Sequence, residues 1–321
     1  MNARETGAGP TTIAVLGPGG VGGLVAGALA RAGTDVLLLA RQETAETIAR
    51  RGLSVRSVTL GEFDLPVRVS TSLAAEENVD VLIVATKAAG LRSALERVEC
   101  APRLVLPLLN GLDHLALLRE RFDPDSVLAG TIRVESDRPE PGVIFHTSRF
   151  LLVDMATRSP KALPRMQALA QTLEGAGIST RVTLPVSERS EAQVMWSKLV
   201  RLNALACTTS AHDKLLGEIR STPALRADLV GAIEEASAVG QAEGARDVDP
   251  QTALSELESA HDTLGSSMQR DIAAGRAPEL DAIPGSVLRA AGRHGLTCPT
   301  IERLVALIAA RAGMVTAPVD L

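Results

Sequence analysis

The first stretch of this chain able to do chemistry is made of glycine. Gly17, Gly19 and Gly22 form G-x-G-x-x-G between the apolar run Ile13–Leu16 and an Ala- and Leu-rich helical pattern closed by Gly33. A second apolar run, Val36–Leu39, follows. Strand, glycine turn, helix and strand within about 30 residues is the setting in which this motif binds a dinucleotide. Gly17 would allow the tight turn, Gly19 would let a pyrophosphate reach the backbone, and Gly22 would let the helix pack closely on its strand. Gly20 and Val21 lie where the helix starts, so they would offer unpaired N–H groups and a positive dipole end to phosphate. A glycine loop that only turns the chain is the competing reading, and the flanking strands and helix weigh against it. At the end of the second strand a site for NAD wants Asp or Glu on the ribose hydroxyls. This chain has Arg41 there, whose planar fork suits a 2′-phosphate, so the expected cofactor is NADP(H).

Further along, Lys87 in VATKAAG and Asn110 in LLNGL each follow an apolar run of strand length. In a doubly wound sheet both would lie on the ligand side, at the carboxyl ends of the strands. Lys87 could touch cofactor phosphates, the ribose or a substrate carboxylate, though a solvated lysine at a helix start explains it equally. Asn110 could orient a ligand carbonyl, although Asn-Gly is also a common turn pair. Lys198, in EAQVMWSKLVRLN, sits on a long helical pattern beside Trp196, a packing anchor. Facing a cleft, it could donate a proton to a carbonyl oxygen, helped by partial desolvation. Periodicity alone would leave it on a solvated face. Ser266 or Ser267 could cap a helix, and Glu279 and Asp281 would favour a helix N-terminus. The residues alone make none of these catalytic. His146, His212, His261 and His294 show no metal-ligand spacing, and no metal is expected.

The elements that must hold these residues fall into two kinds. Val79–Ala85, apolar but for Asp80, and Leu104–Leu108, apolar throughout, read as buried parallel strands, with Leu65–Val69 as another and Ala45–Arg51 as a helix. Ser126–Val134, Val143–His146 and Phe150–Asp154 are joined by polar turns such as Pro139–Gly142 and read as an antiparallel extension of the same sheet. A helix over Pro160–Leu173 and a strand over Ile178–Val182 follow. From Glu188 onward only helical spacing remains. The expected fold is α/β, a Rossmann-type doubly wound sheet with an antiparallel extension, followed by an all-α C-terminal domain. The expected domains are an NADP-binding Rossmann domain over 11–186 and an all-helical substrate and catalytic domain over 187–315. A cofactor at the strand ends would face a cleft against the helical half.

Composition narrows the partners. A chain of 321 residues can bury two cores. With no Tyr, one Trp and four Phe, it lacks the aromatics of a base-stacking surface. A net charge of −5 without a basic run argues against nucleic acid or an anionic membrane as partner. Cys100, Cys207 and Cys298 have no C-x-x-C spacing and read as small buried hydrophobes in a reducing cytoplasm. The first ten residues lack an apolar signal core, and no run is long enough to span a bilayer. A cytoplasmic location is therefore expected. The Ala, Leu and Val surface of the helical half would serve a homodimer or its own core equally.

GPGGVGG, Arg41, Lys87 in TKA, Asn110 in NGL, Lys198 in WSKL, Ser267 in SSMQRDI and Glu279 in GRAPELDAIPG follow one another in an order that resembles the ketopantoate reductase (2-dehydropantoate 2-reductase) family over nearly the whole chain. The resemblance implies NADPH-dependent reduction of 2-dehydropantoate to pantoate, a step of pantothenate biosynthesis. It makes Lys198 the general acid and gives Glu279 a substrate hydroxyl and the charge around the lysine. It gives Ser267 the substrate carboxylate, sets Asn110 between cofactor and substrate, and assigns Arg41 and Lys87 to the cofactor. Two departures stand out. The family's asparagines four and eight residues after the lysine are Leu202 and Ala206 here, and Pro284 stands where the family often has Asn. Asn203, about 100° round the helix from the first of those places, is the polar residue left to meet a substrate. Apolar residues there would leave a distal hydroxyl unpaired. The alternatives are thus a related reductase for a more apolar keto acid or ketone, or an NADP(H)-binding protein without turnover. Lys198 and Glu279 occurring together favour catalysis.

Overall fold

The computed structural model describes residues 11–314, so the reading of the first ten residues, like the expected domain limit at 315, lies outside the described residues. The chain forms two compact units, one of residues up to Leu109 with His114–Ser187, the other of Asn110–Asp113 with Glu188 onward.

In the first unit the elements are β1 (Thr12–Leu16), α1 (Gly20–Arg31), β2 (Asp35–Leu39), α2 (Gln42–Arg51), β3 (Leu53–Ser57), β4 (Gly61–Leu65), β5 (Arg68–Ser70), β6 (Val81–Val84), α3 (Leu91–Leu95), β7 (Leu104–Pro107), α4 (His114–Arg121), β8 (Ala129–Arg133), β9 (Ser136–Glu140), β10 (Val143–His146), β11 (Leu152–Ala156), α5 (Leu163–Gly175) and β12 (Ser179–Val182). The main sheet runs β5-β2-β1-β6-β7 with every neighbouring pair parallel. Ile13 and Val15 enter one apolar layer, Ala14 and Leu16 the other. Helices α1 and α5 supply the first layer, α3 and α4 the second. Strands buried on both faces need apolar residues at every position, which is why these runs show no alternation.

The antiparallel strands divide rather than all extending this sheet. β8 pairs antiparallel with β11, which pairs with β12, and an isolated bridge, Val105–Val127, joins β7 to the residues just before β8. β10 instead joins a second sheet, β4-β3-β10-β9. That sheet lies on α1, where Val55 and Ile144 pack in one layer with Leu24 and Ala28. A Cβ on Gly27 would come within 3.0 Å of Val55. With a sheet on either side, α1 is apolar all round. The expected strand Leu65–Val69 is cut at Pro66, which has no N–H for a ladder, so β4 ends at Leu65 and β5 begins at Arg68.

His146 in β10 is buried, with Nδ1 2.7 Å from Ser57 Oγ and Nε2 3.1 Å from Ser148 Oγ. Burial pushes its pKa down. The unfolded chain therefore binds the proton more readily than the folded one. The stability this gives is complete above the unfolded value of about 6.5 and is lost as pH falls through the depressed folded value. Urea unfolding at about pH 7.5 and pH 5 should show this loss, and His146→Gln, which cannot titrate, should show less of it. Equal losses in both proteins would remove His146 from the account.

The second unit holds α6 (Glu188–His212), α7 (Leu216–Ser221), α8 (Pro223–Ala242), α9 (Pro250–Ser259), α10 (Ser267–Ala273), α11 (Ser286–Arg293) and α12 (Pro299–Arg311), with no strand among the described residues. α6 is its axis, burying Trp196, Leu199, Val200 and Cys207 against Leu229, Ile233 and Ala236 of α8 and Leu304 and Ile308 of α12. Gly240 leaves the indole of Trp196 its slot, since a Cβ there would lie 3.0 Å from the ring. α9 is started by Asp249, whose carboxylate accepts from the N–H groups of Gln251 and Thr252. All three cysteines are buried thiols, and burial pushes Cys207 up to about 12. No helix among the described residues is long and apolar enough to cross a membrane.

Candidate functional site

At the carboxyl edge of the parallel sheet, the glycine loop is explained glycine by glycine. Gly17 turns the chain at φ +104°, its N–H donating to Leu39 O at 3.1 Å. A Cβ on Gly22 would fall inside the carbonyl oxygen of Gly17, and one on Gly20 would lie 2.6 Å from Ser136 O. Those positions are glycine because the protein itself is in the way. Gly19, which precedes α1, is different: a Cβ there would meet nothing within 4 Å. Open space over Gly19 fits the approach of a ligand to the backbone. Beside it Gly20, Val21 and Gly22 form a helix start with no capping side chain and no acid in its first turn. An anion fits that end by hydrogen bonding and by dipole.

Arg41 is exposed just past β2, and Lys87 is exposed just past β6, opening the short turn Ala88–Gly90. Sequence reasoning missed Arg97. Its Nη1 donates to Ala40 O at 2.7 Å and to Thr71 O at 3.2 Å, which brings it to the end of β2. Burial, and then the charge of Arg41, pull the pKa of this guanidinium down. Two arginines thus share one strand end, and no motif links them in the sequence.

The second unit assembles the remaining candidates. Lys198, half-buried on α6 between the buried Trp196 and Leu199, donates from Nζ to Asn110 Oδ1 at 2.8 Å. Asn110 Nδ2 donates to Glu279 Oε2 at 3.2 Å. An ammonium only donates and a carboxylate only accepts, so one orientation of the amide serves both. Gly111 follows at φ +84°, and a Cβ on it would fall inside the carbonyl oxygen of Ala282. The turn carrying Asn110 is therefore seated on the segment carrying Glu279. Two residues after Glu279 that segment enters a π-helical turn, Asp281–Gly285. Pro284 has no N–H to give Leu280 O, and Gly285 N–H reaches it instead at 2.9 Å, one residue wider than an α-helix. Regular α-helical winding thus starts only at Ser286.

Two candidates are placed apart from this chain of contacts. Ser266 caps α10, its Oγ accepting from Gln269 N–H and from Thr209 Oγ1, while Ser267 is exposed as the first residue of that helix. Asn203 is 0% exposed, and its Oδ1 accepts from Cys207 Sγ at 3.5 Å. With no surface for a substrate to touch, Asn203 is a core residue, which corrects the expectation that it meets substrate. The 100° step round α6 turns it inward. Ala206 is likewise 0% exposed, whereas Leu202 is half-buried at the edge of the helical core.

Comparison with known proteins accounts for both units. Residues 13–153 match the family described as "Ketopantoate reductase PanE/ApbA", and residues 192–312 match its C-terminal counterpart. The chain is similar to an oxidoreductase of Bacillus subtilis, 30% identical over 91% of this chain and 96% of that one. It is also similar to a 2-dehydropantoate 2-reductase of Mycobacterium tuberculosis, 32% identical over 94% of this chain and 97% of the relative. In fold it is similar to a D-mandelate dehydrogenase solved with NADH and anilino(oxo)acetate, with a TM-score of 0.84 at 21% identity over 94% of this chain and 98% of that one. With family matches over most of its length, the chain belongs to the ketopantoate reductase family.

Proposed function

We propose that this protein is an NADPH-dependent reductase that turns a 2-keto acid into a 2-hydroxy acid, with Lys198 as general acid. The observation that carries the reading is the line of contacts from Lys198 through Asn110 to Glu279. A bound reduced nicotinamide would supply the hydride to the carbonyl carbon. Lys198 supplies the proton that the carbonyl oxygen needs as its bond order falls. Asn110 holds the ammonium by its amide oxygen, and Glu279 holds the amide so that this oxygen faces the lysine. Gly19 and the start of α1 would take the pyrophosphate, and Lys87 would reach the phosphates or ribose. Arg41, with Arg97 beside it, would take a 2′-phosphate, which favours NADP(H) over NAD(H).

Family membership favours 2-dehydropantoate as the keto acid. A second reading, a more apolar keto acid, is favoured by Leu202, half-buried at the edge of the helical core, which offers a distal hydroxyl no partner. The same fold carries a D-mandelate dehydrogenase. Oxidation of NADPH, followed by absorbance, with 2-dehydropantoate against apolar 2-keto acids (phenylglyoxylate among them) decides between the two. The cofactor is tested in the same assay. A charge-assisted hydrogen bond is worth about 1.5–3 kcal/mol, so Arg41→Ala should raise the KM for NADPH roughly 10- to 100-fold and leave that for NADH nearly unchanged. An equal rise for both cofactors would remove the 2′-phosphate from Arg41.

A further inference from the structure

Asn110 and Glu279 come from segments far apart in the chain, and one side chain ties those segments together. Arg289, on α11, donates from Nη1 to Asp281 Oδ1 at 2.7 Å and from Nη2 to Asp281 O at 2.8 Å. The same Nη2 donates to Asp113 Oδ2 at 2.5 Å. Asp113 lies three residues after Asn110, and Asp281 lies two residues after Glu279. The guanidinium therefore spans the turn that carries the amide and the turn that carries the carboxylate. Between the same two segments Gly111 rests on the carbonyl of Ala282. Burial disfavours the charge on Arg289, and the hydrogen bonds and charges of Asp113 and Asp281 more than offset it, so its pKa is raised.

The carboxylates are largely solvated, with side-chain exposures of 49% for Asp113 and 89% for Asp281, and the arginine is 39% exposed. Ion pairs so exposed contribute little to global stability. What a planar guanidinium with fixed donors contributes is geometry. A lysine reproduces it poorly, because its single ammonium on a flexible stem lacks both the second nitrogen that holds Asp281 Oδ1 and the plane that fixes the two together. Withdrawing the cation would also leave two carboxylates facing each other across the junction.

Resting on the reading of Lys198 as proton donor, we propose that Arg289 is a positioning residue: it sets the separation of the Asn110 turn and the Glu279 turn, and through them the aim of the Lys198 ammonium. Its side-chain bonds run to Asp113 and Asp281, so its loss is expected to act on turnover and not on cofactor affinity.

The test uses the full chain and the fastest 2-keto acid of the panel above. Arg289→Ala should lower kcat about 10-fold, since misplacements of the order of 1 Å cost up to about 100-fold. The Kd for NADPH, read by its fluorescence, should stay within about twofold, and the thermal midpoint should move little. Arg289→Lys should recover only a small part of the loss. Asp113→Asn, which keeps the shape and removes one charge, should reproduce part of it and carries the test should Arg289→Ala fold poorly. The double variant should be no worse than Arg289→Ala, because the two residues act as one unit. Unchanged kcat in Arg289→Ala, full rescue by lysine, or additive losses would each overturn the proposal. Lys198→Ala in the same assay separates the two levels. Turnover surviving in it would take the underlying reading down and this proposal with it. A dead Lys198→Ala beside a fully active Arg289→Ala would remove Arg289 alone.

Discussion

Lys198→Ala is expected to lower kcat by about 10²- to 10⁴-fold, the usual contribution of a positioned proton donor, while NADPH binds as before. The first half of that expectation follows from the contacts of the ammonium. Asn110 accepts from Nζ at 2.8 Å and is itself held by Glu279, an arrangement that aims one nitrogen at one place. The second half follows from where the glycine loop lies. Gly17, Gly19, Arg41 and Lys87 belong to the first unit, where Leu39, Ala85 and Ser136 shape the glycine loop, whereas Lys198 belongs to the second. Stopped-flow or steady-state oxidation of NADPH gives kcat, and fluorescence titration gives Kd. A protein that binds NADP(H) without turnover has no use for the lysine, and an enzyme using a different acid would keep its rate. Full turnover in Lys198→Ala would sink the assigned role. Lost turnover together with lost NADPH binding would show that the change reached beyond the proton donor.

How much of this was legible in the chain depends on how local the signal is. β1 after Thr12, β6 and β7 are apolar throughout because both faces are covered, so each announces itself without reference to anything distant. β3 and β4 do not. In β3 only Leu53 and Val55 are apolar, and β4 is largely exposed, so this hairpin exists because α1 gives its inner face something to cover. β9 reads as a turn, since Ser136–Glu140 is polar and contains Pro139, but it forms the edge of its sheet, where a missing N–H is tolerated. The site divides the same way. Gly17, Arg41, Asn110, Lys198 and Glu279 carry motif positions. Arg97 and Arg289 have none, because each acts by donating to backbone or carboxylate oxygens that only folding brings near. Asn203 misled for a simpler reason: composition offered a polar residue near the right place, and the helical angle had already turned it inward.

The second large effect separates two glycines of one motif. Gly22→Ala should destabilise the protein by about 1–3 kcal/mol, the cost of overpacking, and abolish NADPH binding. Its Cβ would fall inside the carbonyl oxygen of Gly17 and lie 3.1 Å from the Cβ of Ala85, so α1 must move off the strand end. Gly19→Ala should behave in the opposite way. Gly19 has φ −76° and ψ −171°, which alanine adopts without strain, and its Cβ would meet no protein atom within 4 Å. Its folded state should therefore be as stable as before, or more stable by about 0.4–1 kcal/mol because alanine restricts the unfolded chain. Its affinity for NADPH should nevertheless fall by roughly 10-fold or more, since the new methyl would fill the space where a pyrophosphate meets the backbone. Thermal unfolding and fluorescence titration on the two variants distinguish a glycine kept for the fold from a glycine kept for a ligand. Unaltered NADPH affinity in Gly19→Ala would mean that the pyrophosphate does not pass over Gly19, and the open space there would need another occupant.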